Sequence, residues 1–189
     1  MAKIPYRKWP KGAKLIASAT LVALLGGNWV AQTAMDDVAG HEGYVPFGYR
    51  DPVGIPTKCF GDTTNVVLGK EYSWDECVRS LNEHLVETSR PVVKCLGNMW
   101  PKLADETKAA LLSLSYNIGP GAFCKSSVAK FIKAGNVERA CRRIGDGKFY
   151  VTARGVPLKG LVVRRERESA MCMRGVKKQR EAQDAGMVN

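Results

Sequence analysis

A run of 21 uncharged residues near the N-terminus is the feature that most constrains the fold of this chain. Residues 1–14 carry five basic residues and no acidic one, and residues 15–35 carry no charge. In an α-helix, 15–35 is long enough to cross the hydrocarbon core of a bilayer. The basic flank predicts that the N-terminus stays in the cytoplasm and that the rest of the chain is exported.

The composition of residues 15–35 favours a segment that enters a membrane and later leaves it. Alanine, glycine, serine and threonine dilute its large apolar residues, and Asn28 and Gln32 are costly in lipid. A permanent anchor would need a denser apolar run, and a cleaved signal peptide would need an A-x-A pattern after the run. A buried N-terminal core helix of a soluble protein is a further alternative, but it gives the basic flank no role.

Six cysteines lie in the part of the chain that would be exported. An even number suits disulfide bonds in an oxidising compartment, and the sequence does not choose among the possible pairings. Zinc binding is a weak alternative, because the chain has no C-x-x-C motif and only two histidines, His41 and His84. We therefore expect no metal and no cofactor. The cysteines are Cys59, Cys77, Cys95, Cys124, Cys141 and Cys172.

The charge of the exported part limits its partners. The formal net charge is +11, and removing the five cations of residues 1–14 leaves +6. A basic exported protein could bind nucleic acid, anionic lipid or an acidic cell-wall polymer. Export and the lack of a zinc-finger or RNP-like pattern argue against nucleic acid.

Two carboxylates and a hydroxyl follow the uncharged run at short spacing. Glu42, Asp51 and Thr57 lie in a stretch rich in glycine, proline and tyrosine. Such a set can supply a general acid, a second carboxylate and a group that holds water, which is the minimum for hydrolysing a glycosidic bond. Asp51 could equally be a turn residue and Thr57 an ordinary strand residue.

The remaining pattern predicts an α+β fold with a small β lobe, a connecting helix and a larger helical lobe. The capping box at Ser73 and Glu76 starts the connecting helix, and Pro91 predicts where it stops. A short helix from Asp36 would carry Glu42 near its end. The predicted segments are a basic flank and membrane segment (1–35), the small lobe (about 36–72), the connecting helix (about 73–90), the helical lobe (about 91–176, with a loop over 145–160 and a last helix over 161–173) and a mobile polar tail (177–189).

With these motifs in place, the chain resembles the phage lysozymes of the T-even type, glycoside hydrolase family 24, and especially the signal-anchor-release endolysins of lambdoid phages. The family pattern is a glutamate, an aspartate nine residues on and a threonine six further, which Glu42, Asp51 and Thr57 match. Two later stretches also match, 115–119 (SYNIG) and 160–166 (GLVVRRE). The resemblance covers about 36–175. Pro56 stands where the family commonly has tryptophan.

The resemblance implies a lysozyme-like fold preceded by an N-terminal hydrophobic helix. It also implies a monomeric muramidase that cleaves peptidoglycan, held inactive in the inner membrane by residues 15–35 and then released to the periplasm. Glu42 would be the general acid, Asp51 would orient water or stabilise positive charge, and Thr57 would hold the attacking water. Tyr116 and Asn117 would contact sugar or serve as helix-end packing and a cap. Arg164 would face the substrate or belong to a structural network with Glu166 and Glu168. The implied disulfides are Cys59–Cys77, Cys95–Cys124 and Cys141–Cys172.

Three other functions remain open at this point. A lytic transglycosylase also needs one acidic residue, but it leaves an anhydro-sugar instead of a reducing end. A non-catalytic wall-binding module would not need Glu42. A small anchored structural protein stapled by disulfides would have no effect on purified peptidoglycan.

Overall fold

The computed structural model describes residues 6–147, 149, 152–153 and 156–186, and within them it confirms the predicted α+β class. The strands form two small antiparallel sheets, β1 (Val45–Arg50) with β2 (Pro56–Cys59), and β3 (Thr152–Ala153) with β4 (Val156–Pro157). A 3-10 helix spans Gly97–Lys102. The α-helices are α1 (Ala19–Leu25), α2 (Asn28–Glu42), α3 (Trp74–Leu96), α4 (Asp105–Ile118), α5 (Pro120–Lys125), α6 (Ser127–Lys133), α7 (Val137–Ile144) and α8 (Lys159–Asp184).

Helix α4 is the centre of the helical lobe. It contacts α2, α3, α5 and α8, and its residues from Glu106 to Ser115 are buried. Helix α8 approaches α4 closely at Gly175, where an added Cβ would lie 2.4 Å from Thr107 Oγ1 and 2.8 Å from Thr107 N. Only a residue without a side chain fits where these helices cross.

The uncharged segment 15–35 forms α1 and the first half of α2, and most of its large apolar side chains enter the core, whereas Ile16 and Trp29 are exposed. Leu21, Leu25 and Met35 have no exposed surface. The two helices separate at a glycine pair, because Gly26 has a left-handed φ of 84° and Gly27 is extended with a φ of 173°. The predicted single hydrophobic helix is therefore wrong for this structure, and α2 begins well before Asp36. Among the helices of the described residues, none is long and apolar enough to span a membrane.

One side chain of α3 binds the start of this segment. The Asn82 side-chain oxygen accepts a hydrogen bond from Ser18 N–H at 2.7 Å, and its nitrogen donates to Ile16 O at 3.0 Å. Ser18 in turn caps α1, because its hydroxyl accepts from Leu21 N–H at 3.2 Å. Segment 15–35 is thus hydrogen-bonded to the connecting helix as well as packed against it.

The connecting helix α3 starts as predicted and ends later than predicted. The capping box is present, with Ser73 Oγ accepting from Glu76 N–H and the Glu76 carboxylate accepting from Ser73 N–H. The prediction that the helix ends before Pro91 is wrong. Val92 and Leu96 are buried beyond the proline, and this packing outweighs the hydrogen bond that a proline removes.

The C-terminal helix α8 also runs further than predicted, and the prediction of a mobile tail from Lys177 is wrong as far as Asp184. Lys178 pairs with the buried Glu106, and Arg180 pairs with Glu138 of α7. These contacts hold the last turns against the helical lobe. The predicted loop over 145–160 contains the short strands β3 and β4, while positions 148, 150–151 and 154–155 of that prediction lie outside the described residues.

Three disulfides connect neighbouring elements, and they are the pairs that the family resemblance implied. Each joins a helix to the element that packs on it. They are Cys59–Cys77 between β2 and α3, Cys95–Cys124 between α3 and α5, and Cys141–Cys172 between α7 and α8.

We expect removal of the Cys141–Cys172 bond, by changing both residues to alanine, to lower the free energy of unfolding by about 3 kcal/mol. Both cysteines are fully buried, so the loss combines a less constrained unfolded chain with weaker packing of α7 on α8. Urea unfolding measures it.

The matched control removes Cys95–Cys124, whose sequence separation of 29 is close to the 31 of the first pair. Removing either bond then frees the unfolded chain to nearly the same extent. Because Cys95 and Cys124 are partly exposed, we expect their removal to lower the free energy of unfolding by a smaller amount. Equal losses in the two variants would show that burial of the first pair contributes nothing.

Candidate active site

Glu42 is the last residue of α2, and its carboxylate lies between the two lobes. Oε1 accepts a hydrogen bond from Arg164 Nη1 at 3.0 Å, and Oε2 would lie 3.2 Å from a Cβ added at Gly61 in the small lobe. The helix ends here because Gly43 takes a φ of 75°, while its N–H still donates to Ala39 O at 3.0 Å. The side chain of Glu42 is 26% exposed, so the carboxylate is held in place and still open to a ligand.

Arg164 connects Glu42 to the interior of the helical lobe. Its Nε donates to Glu168 Oε1 at 3.1 Å, and its Nη2 donates to Ser113 O at 3.2 Å. Only 5% of its side chain is exposed, and all three nitrogens bind protein groups. The structure therefore places Arg164 in the structural network, and the interpretation of Arg164 as a sugar contact is not supported by its position.

Glu168 lies at the centre of this network. Its Oε1 also accepts hydrogen bonds from Arg165 Nη2 and Ser113 Oγ, each at 2.7 Å. Burial raises the pKa of Glu168 and lowers the pKa of Arg165, and the attraction between the two opposes both shifts. Arg165 Nη1 donates in addition to Asn117 Oδ1 at 3.0 Å, which ties the end of α4 to α8. Glu166, in contrast, is exposed on the outer face of α8.

A second carboxylate of α2, Asp37, lies one turn before Glu42. Its Oδ1 is 3.5 Å from His41 Nε2. Burial favours the neutral form of Asp37, but the neighbouring His41, Ser113 and Arg164 together outweigh it and lower the pKa. Asp37 therefore extends the charged network along α2 toward the Glu42 site.

Asp51 follows β1 and organises the turn of the hairpin. Its Oδ1 accepts hydrogen bonds from Val53 N–H at 2.9 Å and Ile55 N–H at 2.8 Å. Its own N–H donates to Ile55 O at 2.9 Å. Asp51 is therefore a turn residue, as one of the two interpretations predicted. The same hydrogen bonds fix the direction of its carboxylate.

Thr57 lies on β2 directly opposite Tyr49 of β1. Its hydroxyl donates to Ile55 O at 3.0 Å, and the residue is 5% exposed. A hydroxyl has one hydrogen and two acceptor positions, so the Thr57 oxygen keeps lone pairs that can accept from water. Position and hydrogen bonding both suit a group that holds a single water molecule.

Tyr49 is influenced by both predicted catalytic carboxylates. Burial first, and then the charges of Tyr6, Asp51 and Glu42, raise the pKa of Tyr49 to about 12. Tyr49 comes two residues before Asp51, near the end of β1, and this short spacing is a signal from which the sequence could have identified it. Tyr49 faces Thr57 across the hairpin and is close enough to Glu42 and Asp51 for both charges to raise its pKa, a position that sequence reasoning missed.

Tyr116 joins the lobes from the end of α4. Its hydroxyl lies 3.1 Å from His84 Nδ1 of α3 and donates to Phe60 O of the small lobe at 3.4 Å. Burial, followed by the charges of Glu42 and Asp62, raises its pKa. Together with the Asn117–Arg165 bond, these contacts give both residues structural partners within the chain.

The described part of the chain holds no group of three His, Cys, Asp or Glu side chains that could bind a metal ion. Besides Tyr49, sequence reasoning missed Gly61, Ser113 and Tyr6. Gly61 and Ser113 carry no chemical signal that would mark them out in a single sequence, because their roles depend on which elements the fold brings together.

Known phage proteins resemble this chain over most of its length. A model of the phage lysozyme family matches residues 39–168. The SAR-endolysin of Enterobacteria phage P21 is 32% identical over 165 residues, which cover 82% of this chain and 94% of that protein. The SAR-endolysin of Bacteriophage PS119 is 31% identical over 169 residues, covering 85% and 95%.

Solved structures of phage endolysins have the same fold. The active form of the P1 phage endolysin Lyz superposes with a TM-score of 0.68 at 22% identity, covering 87% of this chain and 98% of that one. The endolysin of Escherichia coli O157:H7 phage FAHEc1 has a TM-score of 0.67 at 26% identity, covering 76% and 92%. These likenesses confirm the predicted lysozyme-like architecture. The family model and the identity to the P21 protein together show that this chain belongs to the phage lysozyme family.

Proposed function

We propose that this chain is an endolysin that hydrolyses the β-1,4 bond between N-acetylmuramic acid and N-acetylglucosamine in peptidoglycan, and so lyses the host cell. The observation that carries the proposal is the Glu42 carboxylate, open to solvent between the lobes, bound on one oxygen by Arg164 and next to the hairpin that carries Asp51 and Thr57. The relatives' name, SAR-endolysin, supports the same function.

The geometry suggests how the groups divide the reaction. Arg164 binds Oε1 of Glu42, so the proton for the leaving glycosidic oxygen would be carried on Oε2, beside Gly61. As the glycosidic bond breaks, positive charge develops at the anomeric carbon, and the Asp51 carboxylate stabilises it or accepts the proton of the attacking water. Thr57 orients that water by accepting one of its hydrogens.

The presence of a second carboxylate favours hydrolysis over lytic transglycosylation. In lytic transglycosylation a hydroxyl of the sugar itself attacks the anomeric carbon as the glycosidic bond breaks, so the reaction needs no attacking water and no groups to hold one. The hairpin that carries Asp51 and Thr57 is fixed by its own hydrogen bonds. Only the hydrolytic reaction would use these two groups to hold and activate a water molecule.

Residues 15–35 would first hold the enzyme in the inner membrane and then refold onto it after release to the periplasm. The same residues cannot lie in a bilayer and in the core at once, because Leu21, Leu25 and Met35 are fully buried against the domain. Withdrawing them removes α1 and the first two turns of α2, the helix that ends at Glu42. The membrane-held form would therefore lack a positioned general acid.

Changing Glu42→Gln tests the catalytic assignment. The amide keeps the size of the side chain and can still accept from Arg164, so the fold stays intact while the proton is lost. We expect activity to fall by about 10²–10⁴-fold, measured as turbidity loss of purified Gram-negative peptidoglycan with detergent-free protein.

The products of the wild-type enzyme decide between the reactions. New reducing ends without anhydro-sugar indicate hydrolysis, and anhydro-sugar indicates a transglycosylase. If neither the wild-type protein nor the Glu42→Gln variant forms a product, but both bind the cell wall, the chain is a binding module.

Changing Gly27→Leu tests release from the membrane. Leucine makes membrane insertion more favourable by about 0.5 kcal/mol. The extended φ of Gly27 accepts any residue, and an added Cβ meets only Val30 Cγ1 at 3.9 Å and Asp105 Oδ2 at 4.0 Å. We expect later lysis of expressing cells and unchanged specific activity of the purified, detergent-free protein.

Lysis on the wild-type schedule would contradict the release model, provided that the Gly27→Leu protein is made in equal amount. Gly26 is a poorer position for this test, because its φ of 84° would strain a leucine in the released fold as well.

A further inference from the structure

The basic flank of the uncharged segment is bound to the catalytic domain. We call residues 6–14 the N-terminal arm. Arg7 N–H donates to Tyr44 O at 2.8 Å, two residues after Glu42. At the other end of the arm, Lys14 O accepts a hydrogen bond from Trp74 Nε1 at 3.2 Å. The arm is therefore fixed at both ends to residues that flank the small lobe.

An aromatic cluster holds the middle of the arm. The Trp9 ring lies 5.4 Å from the Trp74 ring and 6.3 Å from the Phe60 ring, measured between centroids. Tyr44 completes the cluster, at 5.5 Å from Phe60 and 5.3 Å from Trp74. Edge-to-face and tilted contacts at these distances stabilise the packing of aromatic rings. The arm belongs to the folded enzyme rather than to a loose leader.

This attachment brings Tyr6 to the residue after the general acid. An added Cβ at Gly43 would lie 2.5 Å from both Tyr6 Cδ1 and Tyr6 Cε1, so the ring rests directly on the Gly43 backbone. Burial, and then the charge of Glu42, raises the pKa of the Tyr6 hydroxyl, which agrees with a position close to the carboxylate. Tyr6 remains 55% exposed, so its ring covers the turn from the solvent side.

We propose that Tyr6 is a positioning residue for Glu42, and that the N-terminal arm thereby completes the active site only after the whole N-terminus has crossed the membrane. The proposal rests on the proposed function of Glu42. A glycine at the end of a helix leaves the backbone there free to change conformation, and with it the position of the last helical residue. The Tyr6 ring restricts that backbone by packing on Gly43.

The membrane topology makes the contact between Tyr6 and Gly43 depend on complete release. While residues 15–35 span the bilayer, the arm lies on the cytoplasmic side and Glu42 lies on the periplasmic side. Tyr6 can reach Gly43 only when the cations of the arm, Arg7, Lys8, Lys11 and Lys14, have followed the segment through the membrane. A partly extracted segment would then leave Glu42 without its support.

The test compares variants of the full-length, detergent-free protein on soluble glycan strands, with kcat and KM measured separately. We expect Tyr6→Ala to lower kcat about tenfold, since small displacements of a catalytic group are costly. KM stays within about twofold, and thermal unfolding shifts by less than about 3 °C because Tyr6 is more than half exposed. Tyr6→Phe, which keeps the ring, retains wild-type kcat.

Two further variants complete the design. Trp9→Ala loosens the arm and lowers kcat in the same direction, whereas Lys11→Ala, in an exposed turn, leaves kcat unchanged. The proposal would be overturned if Tyr6→Ala left kcat unchanged, raised kcat, or raised only KM. A higher kcat would show that the arm inhibits the active site. Glu42→Gln serves as the reference, because activity that survives it refutes the proposed function whatever the Tyr6 variants show.

Discussion

Glu168 is fully buried on α8, and one of its carboxylate oxygens accepts hydrogen bonds from Arg164, Arg165 and Ser113. The interior of a protein penalises an isolated charge heavily, so two arginines can be buried here only because this carboxylate lies between them. Arg164 then extends from the network to Glu42. The orientation of the catalytic candidate therefore depends on a carboxylate that never meets the substrate, and on the packing of α8 against α4 that buries it.

The sequence correctly predicted those parts of the fold that depend on residues close together in the chain. The capping box at Ser73 placed the start of α3, and the spacing of Glu42, Asp51 and Thr57 identified three candidate groups on α2 and the adjoining hairpin. The errors arose where distant contacts outweigh local preference. Val92 and Leu96 carry a helix past Pro91, and ion pairs of Lys178 and Arg180 with distant carboxylates order a segment whose composition reads as a tail.

The uncharged segment shows why its environment could not be decided from composition alone. Small residues that make it a poor membrane anchor also make it a good core helix, because Ala31 and Ala34 are fully buried and allow α2 to approach its neighbours closely. The glycine pair has a separate role in the folded state, where Gly26 takes a backbone conformation that interrupts the helix. Tyr6 could not be found from sequence at all, since only the folded arm brings it to Gly43.

All three disulfides close loops that lie entirely on the C-terminal side of the segment, within residues 59–172. None of them needs α1 or the arm to be in place. On the proposed release model, oxidative folding of the exported part can thus be finished while the protein is still tethered. What remains after release is the docking of a short N-terminal stretch onto a prepared scaffold, a step without covalent chemistry. On that model, activation after release depends on fast local folding and not on the slow formation and exchange of disulfides.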